Sequence, residues 1–159
     1  MIVNEDEMLS ILKSAKSVTL LEPPYKRKYP PLGLGKVATY LGNTPYKHQR
    51  QYTPWGDDLV CVTSLFTYSS QEVLESIRSV KFLNPKAKIL VGGIYASLMP
   101  QSIEKEYPDV SIYKGYSKVL DMSPPTLFNP EPPWDTYSYV FTTRGCPNRC
   151  PYCAVWRIE

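Results

Sequence analysis

Near the C-terminal end of this 159-residue chain, Cys146, Cys150 and Cys153 stand in a C-x3-C-x2-C spacing inside the stretch TTRGCPNRCPYCAVW. Thiolates are soft ligands for zinc and iron–sulfur clusters, and thiols this close along the chain can wrap one small inorganic centre. A structural zinc ion asks for four protein ligands. The other candidates here, Cys61 and the lone His48, sit in separate strand-like segments far off in sequence. A cubane cluster held by Cys146, Cys150 and Cys153 instead leaves one iron open to a small molecule. An iron–sulfur centre is therefore the favoured reading, with zinc and a chance spacing as the alternatives. Pro147 and Pro151 restrict the backbone of the loop, and Tyr152 sets an aromatic ring just before the last cysteine.

Composition narrows the surroundings of such a centre. Apolar residues make up 43% of the chain, enough for a core. The charge of +3 comes from 18 basic and 15 acidic groups scattered along the sequence, which predicts neither nucleic acid nor an anionic membrane as a partner. The opening MIVNEDEMLSILKS is acidic and broken by charge, unlike a signal peptide, and no apolar run reaches membrane-spanning length. A cytoplasmic protein is expected, and in that reducing setting a disulfide framework is not. Cys61 reads as a small core residue and His48 as a solvated strand residue.

The elements that must position the cysteines follow from periodicity. Asn4 with Glu7 predicts a capping box opening a short helix, and Ser17 to Leu21 predicts a buried strand stopped by the proline-rich EPPYKRKYPP. Leu32, Leu34, Val37, Ala38 and Leu41 recur at helical spacing before Gly42. Tyr46 to Tyr52 reads as an edge strand, and DLVCVTSLF from Asp58 as a strand buried on both faces. Ser69 with Glu72 predicts a second capping box for a helix that Asn84-Pro85 ends. KILVGG, a helix over Gln101 to Tyr107, and VSIYKG complete the alternation. This pattern predicts an α/β, doubly wound parallel sheet of about five strands over residues 1–116. Residues 117–135 hold five prolines and read as a semi-rigid linker, and YSYVFTTRG in 136–159 reads as one further strand leading into the cysteine loop. One strand and half a turn cannot bury a core, so 136–159 is expected to be the truncated start of a second domain in a longer protein.

The sequence CPNRCPYC resembles the C-x3-C-x-aromatic-C signature of the radical S-adenosylmethionine (SAM) superfamily. The resemblance implies that Cys146, Cys150 and Cys153 ligate a [4Fe-4S] cluster, that the open iron chelates SAM, and that Tyr152 packs near its adenine. PPLGLGKVATYL, DLVCVTSLF and KILVGGIYAS resemble the cobalamin (B12)-binding-like domain, of flavodoxin-like fold, found ahead of many radical SAM barrels. That resemblance implies Ser64, Gly92 and Gly93 as cofactor-binding positions and admits cobalamin as a second cofactor. The chain lacks the histidine-bearing loop of members that ligate cobalt, and Gly115-Tyr116 stands where relatives often carry Gly-Glu.

In open α/β sheets ligands bind beyond the carboxyl ends of the strands, so Glu22–Tyr25, Ser64–Tyr68 and Gly92–Tyr95 are the expected rim of one mouth. An ordinary strand-to-helix turn is the plainer account of Gly92-Gly93, and a bulky residue at Gly93 is expected to obstruct a ligand while sparing the fold. The function expected is that of a radical SAM enzyme, with methyl transfer as one outcome, acting on small-molecule cofactors with a barrel outside this chain. The alternative is a non-catalytic binding or interaction module whose cysteine tail is vestigial or binds zinc.

Overall fold

The computed structural model describes residues 1–26, 30–128 and 144–159. Residues 137–143 of the expected strand-like run YSYVFTTRG and part of the expected linker lie outside the described residues. Strands β1 (Ile2–Val3), β2 (Val18–Leu21), β3 (Tyr46–Gln49), β4 (Leu59–Ser64), β5 (Lys88–Gly93) and β6 (Ser111–Tyr113) form a six-stranded sheet in the order β1-β6-β5-β4-β2-β3. Every pairing is parallel. The sheet reverses its winding at β2, since β3 lies on one side of it and β4 on the other. The sixth strand, β1, was not part of the predicted alternation and pairs with β6 at the far edge.

The helices are α1 (Glu5–Ser14), α2 (Leu32–Leu41), α3 (Ser70–Leu83), α4 (Ile94–Leu98), α5 (Pro100–Glu106), α6 (Lys118–Asp121) and α7 (Val155–Ile158). Because side chains alternate across a strand, β4 splits its apolar residues between two cores. Val60 and Val62 pack with Val73, Ile77 and Ile103 beneath α3 and α5. Leu59 and Cys61 pack with Met8, Leu12, Leu34 and Leu120 beneath α1, α2 and α6. Both faces are covered, which is the doubly wound arrangement, and all six residues of β4 are buried.

At the start of α1 the capping box forms as its spacing demands: Glu7 N–H donates to Asn4 Oδ1 at 2.9 Å and Asn4 N–H to Glu7 Oε2 at 2.8 Å. The second predicted box does not form. A 3-10 turn over Thr67–Ser69 precedes α3 and leaves Ser69 at ψ 23°, without a side-chain cap bond.

Past Tyr116 the chain stays on the domain as far as it is described. Ser117 caps α6, accepting the N–H of Leu120 and donating to Glu5 Oε1 of α1 at 2.5 Å. Pro124 to Thr126 then lies along α2: Thr39 Oγ1 donates to Pro124 O, and Thr126 N–H donates to Gly35 O at 3.0 Å. These tertiary bonds satisfy backbone groups that a free linker would leave to water.

Candidate functional site

The carboxyl ends of β4 and β5 are stitched together by Ser64. Its hydroxyl donates to Gly92 O at 2.8 Å and accepts the N–H of Ala96 at 2.9 Å, in the first turn of α4. A hydroxyl has one proton, and this one is spent on the protein's own backbone. Gly93 turns the chain from β5 into α4 at φ 110°, with Ser64 O 2.3 Å from the position a Cβ would take. Around the corresponding position of Gly92 there is open space. The glycine pair therefore divides: Gly93 is required by the backbone, and Gly92 is a bare wall.

That wall belongs to a cavity of about 400 Å³. Its apolar side includes Met8, Cys61, Leu90 and Leu120, and its rim includes Lys36, Tyr116 and Asp121, closed by Arg144, Ile158 and Glu159 of the cysteine segment. Burial pushes the Cys61 thiol up to about 12 and the Tyr113 hydroxyl, also on the lining, up to about 12, so both stay protonated near neutrality.

The mouth lies off the position expected for it. Tyr25 is buried against Leu21, Val60 and Val62, and its hydroxyl donates to Thr63 O at 2.9 Å. Glu22 is buried beside His48 and Arg50. Glu22 and Tyr25 thus pack against the sheet near the ends of β2 and β4, and strand residues lining the cavity come from β4, β5 and β6. His48 departs from the solvated reading: its ring stacks on Phe128 at 4.3 Å and Nε2 lies 3.4 Å from Glu22 Oε2.

Four charged side chains rim the cavity where the cysteine segment meets the sheet domain. Lys36 Nζ bonds to Asp121 Oδ1. Arg144 presents Nε to Asp121 Oδ2 at 2.6 Å and Nη2 to Oδ1 at 2.7 Å, a two-bond fork. Arg144 Nη1 donates to Glu159 Oε1 at 2.8 Å, and the other oxygen of Glu159 accepts the N–H of Gly145 at 2.6 Å.

Between those flanks run the cysteines. All are free thiols; Cys146 is exposed, and Cys150 and Cys153 are half-buried. Cys150 O accepts both the N–H of Cys153 and the indole N–H of Trp156, each at 3.0 Å, which turns the loop back toward α7. As a donor set, unbonded thiols on one short loop suit a soft centre. Among the described residues no three His, Cys, Asp or Glu side chains are gathered as a metal site, so the loop carries the donors without converging them. Tyr152 points to solvent with 91% of its surface exposed. The cysteines are expected ligands from their spacing and Tyr152 an expected adenine neighbour from the resemblance, whereas nothing local in the sequence marks Arg144, Asp121 or Lys36.

Compared with known proteins, the chain is 30% identical over 142 residues to ribosomal protein uS12 methylthiotransferase RimO of Afipia carboxidovorans. The alignment takes in 78% of this chain and 31% of that relative. This chain is similar to the uS12 methylthiotransferases. The proteins of the same name from Bradyrhizobium sp. (strain ORS 278) and Rhodopseudomonas palustris (strain HaA2) are each 30% identical, again over 78% of this chain and 31% of theirs. The chain thus spans about a third of the length of the curated relatives it matches. No protein-family profile matches it, and no solved structure does. Similarity to the uS12 methylthiotransferases supports kinship with the radical SAM proteins, as the cysteine spacing does, and lends none to a cobalamin-binding domain in particular. No helix among the described residues is long and apolar enough to cross a membrane.

Proposed function

We propose that this chain is the cluster-bearing N-terminal part of a radical SAM enzyme. The observation that carries the reading is the set of free thiols at Cys146, Cys150 and Cys153 on one short loop, in a chain 30% identical to a methylthiotransferase over 78% of its own length. These residues would hold a [4Fe-4S] cluster, with Tyr152 beside the adenine of SAM. Such a cluster supplies one electron that cleaves SAM to methionine and a 5′-deoxyadenosyl radical able to take hydrogen from an unreactive carbon. The relatives favour transfer of a methylthio group, and the substrate would be selected by residues of a barrel outside this chain. The α/β domain's part is to carry the loop and shape the cavity beside it.

Anaerobic reconstitution with iron and sulfide tests the reading. Wild-type protein should take up a four-iron cluster, and a variant with all of Cys146, Cys150 and Cys153 replaced by alanine should take up none. Failure of the wild type to bind iron, or binding of zinc in its place, overturns the reading and favours the non-catalytic module. Without the rest of a barrel to cover the cluster, turnover of SAM to 5′-deoxyadenosine is not expected.

A second reading, cobalamin on the sheet domain with methyl transfer, rests on the cavity beside the bare wall of Gly92. Its volume of about 400 Å³ suits a nucleotide-sized tail rather than a whole corrinoid. Titration with hydroxocobalamin, followed in the visible spectrum, tests it. A change in wild type that Gly92→Leu abolishes supports it, and an unchanged wild-type spectrum removes it.

A further inference from the structure

The bonds around Arg144 do more than decorate a surface. Lys36, Asp121 and Arg144 keep only 10%, 19% and 24% of their side-chain surface exposed. Exposed ion pairs contribute little, but a largely desolvated Arg–carboxylate fork is both stronger and fixed in direction. Asp121 is itself held from below. Its carboxylate takes Lys36 of α2, and its helix α6 is capped by Ser117, which is tied to Glu5 of α1. Above it, Arg144 lies two residues before Cys146. The far end of the cysteine loop returns to the same point, since Glu159 bonds both Arg144 and Gly145. Both flanks of the cysteine loop therefore meet over one carboxylate that belongs to the α/β domain.

We propose that Asp121 is a positioning residue, the seat by which the α/β domain fixes the cysteine loop, with Arg144 as the matching tenon and Glu159 closing the loop behind it. The value of the seat to catalysis rests on the cluster reading given above. Its existence does not. A loop held at its base can present its thiols in one direction and lose less conformational entropy when they gather on a centre. The same bonds bring Ile158 and Glu159 against the cavity that Gly92 lines, so the sheet domain and the cysteine loop share a wall.

The test is hydrogen exchange measured by mass spectrometry on the full chain, with thiols reduced and no iron present. Wild type is compared with Asp121→Asn, which keeps the shape and removes the charge, and with Arg144→Gln, which leaves the Lys36–Asp121 contact in place. Amides of residues 145–159 should exchange about tenfold faster in both variants, while those of β4 and β5 stay unchanged. Unchanged exchange of residues 145–159 in both variants overturns the seat. A change in Asp121→Asn alone also overturns it, since that would report damage to α6. After anaerobic loading, both variants should lose iron to a chelator several-fold faster than wild type, and equal rates of loss overturn the positioning role. If wild type takes up no iron, the cluster reading fails while the exchange measurement still judges the seat.

Discussion

The carbonyl oxygen of Ser64 lies 2.3 Å from the point where a Cβ on Gly93 would have to sit. Gly93 also holds φ at 110°, a conformation that costs an L-residue about 1–3 kcal/mol, and overpacking of this kind adds about as much again. Gly93→Ala is therefore expected to destabilise the domain by about 3 kcal/mol, whereas Gly92→Ala, facing open space, should stay within about 0.5 kcal/mol. Urea midpoints of the two variants check the contrast, and equal midpoints would refute it. The expectation that a bulky residue at Gly93 blocks a ligand and spares the fold is corrected by this contact; Gly92 is the position from which to fill the cavity.

Gly35 makes the second such approach, with Thr126 O 2.3 Å from its missing Cβ. Alanine there gains about 1 kcal/mol of helix propensity and loses about 1–3 kcal/mol to overpacking, so the strap over α2 should lift. Chymotrypsin should then cut faster after Phe128, whose ring rests on His48. An unaltered cleavage rate would show that the strap adapts.

Thiol chemistry separates Cys61 from the other cysteines. Cys61 is buried and its thiol pushed up to about 12, while Cys146 is exposed and Cys150 and Cys153 are half-buried. Reduced, iron-free protein at about pH 8 should react at Cys146, Cys150 and Cys153, and at Cys61 only after denaturant is added. Modification of Cys61 at the rate of Cys146 in native protein would contradict its burial.

Stability should fall in alkali. Burial raises Tyr52 from its ordinary value of 10.0 to about 12, and Tyr113 likewise to about 12. Below about pH 10 both hydroxyls are protonated in the folded and unfolded chain alike; between about 10 and 12 the unfolded chain ionises first and the folded state loses ground. Urea midpoints measured from about pH 9 to about pH 11.5 should drop, and less steeply in Tyr52→Phe. A slope indifferent to that substitution would rule Tyr52 out as a contributor.

Where a short stretch contains its own physics, the sequence could be read. The Asn4–Glu7 box closes within one helical turn, and the unbroken apolar run of β4 needs both faces buried whatever surrounds it. The cysteine loop was legible for the same reason, its donors all lying within one short segment. Features built by distant partners were not. β1 spans Ile2–Val3, too short for any alternation to register, and exists because β6 offers an edge. α6 lies in a stretch whose prolines spoke for a linker, and its Asp121 meets Arg144 across 23 positions. Tyr25 packs near the ends of β2 and β4, an approach that local spacing does not encode. Ser69 has the right residue type for a cap, but it ends the 3-10 turn and so lacks the extended backbone angles a cap requires.

The pairing of Ile2 with Ile112 and of Val3 with Tyr113 has a consequence for the order of assembly on the ribosome. A chain made from its N-terminus exposes β1 first, yet the edge it needs emerges only after residues 111–113. Closing so long a loop is entropically costly before β4 and β5 have formed a surface to receive it. Of the six strands of this sheet, the first in sequence is thus expected to be among the last to dock.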